Sequence, residues 1–238
     1  MKTDILAIGV HPDDVEISAG GTLLVHLAIG KIIGILDLTR GELGTRGSGD
    51  IRDIEAANAA KILGVHYREN LRMRDGFLQN DEVHQLEIIK RIRKFQPEIV
   101  ICNATEDRHP DHGKSGKLVS DACFLSGLMK IETVHNGVVQ EAWRPKVIYH
   151  YVQDRQLKPD VLVDISAFMD KKEEALYAYK SQFHDPHSKE PATYISSPEF
   201  FNNIRNRAID LGRQIGVKYA EPFTVERFVG VSSLFDLI

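Results

Sequence analysis

The run His11-Pro12-Asp13-Asp14 is the first place in the chain where side chains that bind metals and move protons crowd together. Adjacent carboxylates repel one another and lose solvation when partly buried, so two aspartates beside a histidine are awkward for a fold alone. A divalent cation resolves the conflict: His11 and Asp14, three apart around a turn, can coordinate one ion while Asp13 points elsewhere. The plainer reading is a strand end closed by a capping aspartate beside a solvated histidine, since short motifs also occur by accident.

A second cluster, Asp107-Arg108-His109-Pro110-Asp111-His112, shifts the balance. Alone it reads as a polar loop opening a helix, with Asp111 near the N-cap. Each cluster, however, follows an apolar strand candidate, residues 5–10 for the first and 98–102 for the second. If those strands are neighbours, both clusters face one crevice at the carboxyl end of a sheet, where open α/β folds place their ligands.

The elements that must position these clusters alternate in type. Residues 5–10 are continuously apolar, as a buried parallel strand requires. A helix over 17–28 closes at Gly30, and a strand follows over 32–38. A glycine-rich loop over 39–49 leads to a helix capped by Ser48 or Asp50 and ending at Leu63. A short strand over 65–68, a helix over 81–95 and the strand over 98–102 continue the βα pattern. The expected fold is α/β: a Rossmann-like, doubly wound, largely parallel sheet.

The second half is less regular, with helices expected over 113–126, 168–179 and 198–214 and strands over 147–152 and 161–165. Residues 181–197, with several prolines, read as a long loop over the site. His184 and His187 could approach a pocket from it, although loops are surface by default. No linker, repeat or low-complexity tract divides the 238 residues, so one domain over 1–238 is expected.

Composition removes several function classes. A net charge of -4 argues against a nucleic-acid binder, which needs a basic excess to neutralise phosphates. No stretch approaches the roughly 20 apolar residues that cross a bilayer, and the N-terminus does not resemble a signal peptide. The two cysteines, Cys102 and Cys123, have apolar neighbours and read as core hydrophobes in a reducing compartment. A cytoplasmic protein is the resulting expectation. The glycine-rich loop lacks both the P-loop lysine pattern and Gly-x-Gly-x-x-Gly. A dinucleotide-binding oxidoreductase would need that fingerprint after the first strand, where His-Pro-Asp-Asp stands.

His11-Pro12-Asp13-Asp14-Val15-Glu16 and His109-Pro110-Asp111-His112 resemble the paired motifs of the N-acetylglucosaminyl deacetylases related to PIG-L and LmbE. Thr39 to Gly47, Arg72-Met73-Arg74-Asp75-Gly76, Ser181-Gln182-Phe183 and Tyr219-Ala220-Glu221-Pro222-Phe223 look like the bacillithiol-biosynthesis branch, so the resemblance covers nearly the whole chain. The family implies a Rossmann-like fold, one catalytic zinc (sometimes iron) and hydrolysis of an acetamide on glucosamine. The branch implies N-acetylglucosaminyl-malate as substrate. A homo-oligomer, such as a hexamer, is implied as well.

Carried over by resemblance, His11, Asp14 and His112 match the metal ligands, and Asp13 matches the general base. His109 matches a residue near the developing oxyanion, expected to act as imidazolium. Asp111 either orients His109 or caps a helix. Arg52 stands where the family holds sugar hydroxyls. Arg108 is the first candidate for a malate carboxylate, with Arg46 and Arg40 as substitutes, and Tyr194 is a candidate oxyanion donor from a loop. Two rival readings stay open: the same chemistry on another acetylated amine (a mycothiol-type conjugate, a chitin fragment or an S-conjugate), and a sugar-binding module without activity.

Overall fold

The computed structural model describes residues 2–183 and 188–237. In chain order its elements are β1 (Ile5–Gly9), α1 (Asp14–Ala28), β2 (Ile33–Thr39), α2 (Gly49–Leu63), β3 (Tyr67–Met73), α3 (Glu82–Phe95), β4 (Ile99–Cys102) and α4 (Pro110–Leu125). There follow a small hairpin, β5 (Val134–His135) and β6 (Val138–Val139), then β7 (Val147–Tyr151), β8 (Val161–Asp164), α5 (Met169–Leu176), α6 (Pro198–Gln214) and β9 (Ala220–Val225).

Seven strands form one sheet in the order β3-β2-β1-β4-β7-β9-β8. The first five are parallel, and β9 is antiparallel to both of its neighbours. This is the mostly parallel α/β fold expected. The chain builds outward from β1 through β2 to β3, then crosses back to place β4 on the other side of β1. That reversal opens a crevice at the carboxyl ends of β1 and β4. The register Ala7↔Ile101 makes the segments after these two strands leave the sheet side by side.

Alternation along β1 explains why the whole strand is buried. Leu6, Ile8 and Val10 face α3 and α4, packing with Ile88, Ile92 and Leu118. Ile5 and Ala7 face the other way, into a cluster with Val15, Ala19 and Leu23 of α1 and Ala175 of α5. Among the described residues, no helix is long and apolar enough to cross a membrane.

Several boundaries differ from expectation, each for a local reason. α1 begins at Asp14, so the first motif is itself the opening turn. α4 begins at Pro110, whose fixed φ and missing N–H suit a first helical turn. β3 runs to Met73, past the expected end at 68. β9 is an addition to the expected strands, because Pro222 argues against a central strand; β7 pairs with it only from Phe223 onward. The β5–β6 hairpin turns on Asn136-Gly137, both at positive φ, the backbone that a two-residue I′ turn demands.

Candidate active site

The two clusters meet in the crevice. Asp14, nearly inaccessible to solvent, stands between two imidazoles: its Oδ1 lies 3.2 Å from His112 Nε2 and its Oδ2 lies 3.7 Å from His11 Nδ1. The rings of His11 and His109 are 4.7 Å apart between centroids, and those of His109 and His112 are 5.0 Å apart. Two histidines thus flank one carboxylate, and the ring of a third, His109, lies against both of theirs.

The outward nitrogen of each flanking histidine is held by a buried carboxylate. His11 Nε2 lies 3.0 Å from Asp75 Oδ1, and His112 Nδ1 lies 2.5 Å from Asp107 Oδ2. Metal-binding histidines show this arrangement, because the carboxylate fixes the ring and leaves the other nitrogen free for the ion. The free atoms here, His11 Nδ1 and His112 Nε2, are the two that face Asp14. Burial alone would raise the Asp14 pKa, but His112 and His11 hold it well below the usual carboxylate range. Burial likewise disfavours a charged His112, yet Asp14 and Asp107 push its pKa up to about 10. The site therefore draws positive charge to the point where a cation would sit, and its N/O donor set suits zinc or iron.

Ligand atoms of His11, His109 and His112 also lie within 4.8 Å of one another, as do those of His11, Asp75 and Asp111. Asp75 is committed to His11 and to the Leu43 N–H, and His109 uses its Nδ1 within the chain.

Asp13 has the most constrained backbone in the site. Its φ is 113°, in the region that favours glycine, and its side chain makes no capping bond to α1. The carboxylate instead receives Arg52 Nη2 at 2.9 Å. Burial raises the Asp13 pKa to about 7 against the opposing charge of Arg52. Arg52 also donates to the Pro12 carbonyl and to Gln182 Oε1. Both Nη atoms are thus bound by protein, while Arg52 also lines the cavity and its Nε has no hydrogen-bond partner among the described residues. Gly41 is required beside it: at φ 63° its backbone passes so close that a Cβ would lie 2.6 Å from Arg52 Nη1.

His109 is the N-cap of α4, and its Nδ1 accepts the Asp111 N–H at 3.2 Å. The ring proton then belongs on Nε2. Burial, followed by the neighbouring His11 and His112, lowers its pKa. A ring that accepts at Nδ1 carries its proton on Nε2, the nitrogen left to face the cavity. Asp111 neither caps the helix nor orients His109 through its carboxylate. Its backbone N–H holds the ring, while the side chain is buried and its Oδ2 has no hydrogen-bond partner among the described residues.

A cavity of about 900 Å³ opens over this group, and His11, Asp13, Asp14, His109 and His112 all line it. Arg46, Arg108 and Tyr194 line it as well. Arg46 donates to Ser188 Oγ at 2.7 Å. Arg108 pairs through Nε with Asp154 at 2.8 Å and lies over the Tyr194 ring, whose hydroxyl donates to the same aspartate at 3.0 Å. Arg40 does not line the cavity; it binds Asp50 and Asp53. His184 and His187 lie outside the described residues. A second hollow, lined by Ile51, Ile54 and Tyr177, holds none of the clustered histidines.

Sequence reasoning assigns no role to Asp75, Asp107, Asn103, Gln153 or Arg207. Asp75 and Asp107 stand inside the quoted motifs, and the histidine-to-carboxylate pairing is the available signal. Asn103, Gln153 and Arg207 have no such signal, because only the sheet order and α6 bring them to the crevice.

Comparison with known proteins agrees with this geometry. Residues 6–123 match the family model described as PIG-L, GlcNAc-PI de-N-acetylase. The chain is 29% identical to diacetylchitobiose deacetylase of Thermococcus kodakarensis, over 91% of this chain and 80% of that protein. It is 27% identical to a probable N-acetyl-alpha-D-glucosaminyl L-malate deacetylase 2 of Bacillus anthracis, over 75% of this chain and 81% of that protein. A solved structure of a conserved protein from Thermus thermophilus superposes with a TM-score of 0.86 at 35% identity, covering 97% of this chain and 98% of its own. A relative of different chemistry, 4-oxalmesaconate hydratase of Pseudomonas putida, is 25% identical over 75% of this chain and 74% of that protein. With these matches and two motif loops joined in one crevice, the chain belongs to the PIG-L family and is a hydrolytic enzyme.

Proposed function

We propose that this enzyme hydrolyses the acetamide of an N-acetylglucosaminyl conjugate with the help of one zinc or iron ion, and that N-acetylglucosaminyl-malate is its substrate. The carrying observation is Asp14 between His11 and His112, each ring braced from behind by a carboxylate. His11 Nδ1, Asp14 and His112 Nε2 would hold the ion. When bound, such an ion polarises the acetyl carbonyl and brings the pKa of a water towards about 7.

Asp13 removes a proton from the attacking water and later delivers one to the departing amine. A carboxyl group raised to about 7 suits both transfers. Arg52 holds Asp13 in place through its ion pair. His109 offers Nε2–H to the developing oxyanion, and Tyr194 would add a second donor from the rim on releasing Asp154. The water oxygen bonds to the acetyl carbon first, and the C–N bond then breaks as the nitrogen takes the proton from Asp13, releasing acetate and a free amine.

Malate is supported by the guanidinium groups of Arg108 and Arg207 in the cavity lining, since such groups grip carboxylates in a bidentate manner. It is also supported by the Bacillus anthracis relative. Diacetylchitobiose is the second reading, favoured by the larger share of this chain that matches the Thermococcus enzyme. Comparing kcat/KM on both substrates, with and without Arg108→Ala, separates them. The malate reading predicts that the substitution raises KM for the malate conjugate and spares chitobiose. A homo-oligomer fits the exposed Met129, Phe228 and Phe235, and light scattering tests it.

A further inference from the structure

Behind the proposed ion site lies a buried pair of amides that the chemistry does not use. Asn103 follows β4 and is completely inaccessible to solvent. Its side chain fills all four of its hydrogen-bonding capacities: Oδ1 accepts from Val10 N at 3.0 Å and Ser115 Oγ at 2.9 Å, while Nδ2 donates to Asp14 Oδ2 and Gln153 Oε1, each at 3.0 Å. Gln153, just beyond β7, turns its Nε2 to Asp14 Oδ1 at 3.1 Å.

The orientation of both amides follows from one backbone group. Val10 N–H can only donate, so the Asn103 oxygen must face it and the Asn103 nitrogen must face Asp14. That nitrogen requires an acceptor on Gln153, which turns the Gln153 nitrogen to the other Asp14 oxygen. Two amides thus grip both oxygens of one carboxylate. Gly116 of α4 permits the close approach behind them, since a Cβ there would lie 2.9 Å from the Asn103 carbonyl oxygen.

We propose that Asn103 and Gln153 are positioning residues, an amide clamp that holds the Asp14 carboxylate in the orientation from which it binds the metal. The proposal rests on the ion site proposed above. Besides the clamp, Asp14 Oδ2 accepts only the His11 N–H at 3.0 Å, and a carboxylate held by that one bond could still swing Oδ1 and would lose that freedom on binding the ion. The clamp removes that freedom in advance, reaching Asp14 from the ends of β4 and β7, with Asn103 itself anchored to Val10 beyond β1.

The test is zinc affinity of the purified full chain, measured by competition with a chromophoric chelator, beside the melting temperature of the chelated protein. Gln153→Met removes one arm of the clamp and leaves the Val10 and Ser115 bonds of Asn103 intact. Asn103→Ala removes the other arm together with the bond that orients Gln153, and carries a risk to folding. Ser115→Ala breaks a bond to the same amide on the side away from Asp14. The expected result is zinc binding weakened roughly 10- to 100-fold in Gln153→Met, the range for residues that support metal ligands. Ser115→Ala is expected to melt earlier yet bind zinc as tightly as the parent. Equal zinc affinity in Gln153→Met and the parent, with only the melting temperature changed, would overturn the clamp. His11→Ala keeps the two failures apart. If the parent binds one zinc and His11→Ala none, unchanged affinity in Gln153→Met overturns the clamp alone; if the parent binds none, the ion site and the clamp fall together.

Discussion

Arg52 Nη2 and Asp13 Oδ2 are 2.9 Å apart, and both side chains are almost wholly shielded from solvent. A buried carboxylate depends on its counter-charge far more than an exposed one, because water cannot replace it. Arg52→Gln alone should therefore cost several kcal/mol, about 3–5 for a broken buried pair. Asp13→Asn should cost less in the Arg52→Gln background than in the parent, since the orphaned charge has already gone. Urea unfolding of the parent, both single variants and the double variant reads the coupling. Strictly additive losses would show that the pair is incidental.

With Nδ1 accepting the Asp111 N–H, His109 has Nε2–H to donate. His109→Phe removes the donor and should lower kcat by roughly 10²–10³, the range for losing one oxyanion donor. His109→Gln, which can place an N–H nearby, should recover part of that loss. Both variants should bind zinc like the parent. Loss of zinc in both would instead make His109 a ligand.

Metal removal should be visible in stability as well as in rate. A ligand at 100 times its Kd adds about 2.7 kcal/mol to the folded state, which for a chain of this size is roughly 5–10 °C in Tm. Zinc should raise the Tm of the chelated parent by an amount of that order and leave Asp14→Ala unmoved. Calorimetry with and without zinc checks this, and an equal shift in Asp14→Ala would place the ion elsewhere.

A pH dependence of stability resides behind the site. His150 is buried, with Nδ1 donating to the Asn103 carbonyl and Nε2 to Glu226, each at 2.8 Å. Burial lowers a histidine pKa, but Cys102, Glu226 and Asn103 together push this one from 6.5 up to about 11. A raised folded-state value means that the contribution is complete below about 6.5 and is lost as pH rises towards about 11. Urea midpoints of the parent should fall across that window more steeply than those of His150→Gln. Parallel curves would show that His150 is not charged in the folded protein.

The sheet and both motif loops are legible in the sequence because their signals are local. Continuous apolar strands and βα alternation mark β1, β2 and β4, and the two His/Asp clusters announce the crevice. The support behind the motifs is not legible. Asp75 reaches His11 across 64 positions and Gln153 reaches Asp14 across 139, contacts that exist only once the strands are ordered. The tautomer of His109 is hidden for a similar reason. Its Nδ1 serves as the N-cap of α4, a bond that becomes visible only when the helix is seen to begin at Pro110. Arg52 falls on the expected helix, yet its partner Asp13 comes from a different loop.

Metal-dependent acetamide hydrolysis with Asp13 as the base stands or falls on acetate release from N-acetylglucosaminyl-malate and diacetylchitobiose. The assay should be run on the parent and Asp13→Asn, each chelated and then reloaded with zinc or iron. Acetate release by the parent should stop on chelation and return with metal. Reloaded Asp13→Asn should hold one ion but turn over roughly 10²–10⁴ times more slowly. Full activity in a verified metal-free parent, or undiminished turnover in Asp13→Asn, would contradict this mechanism.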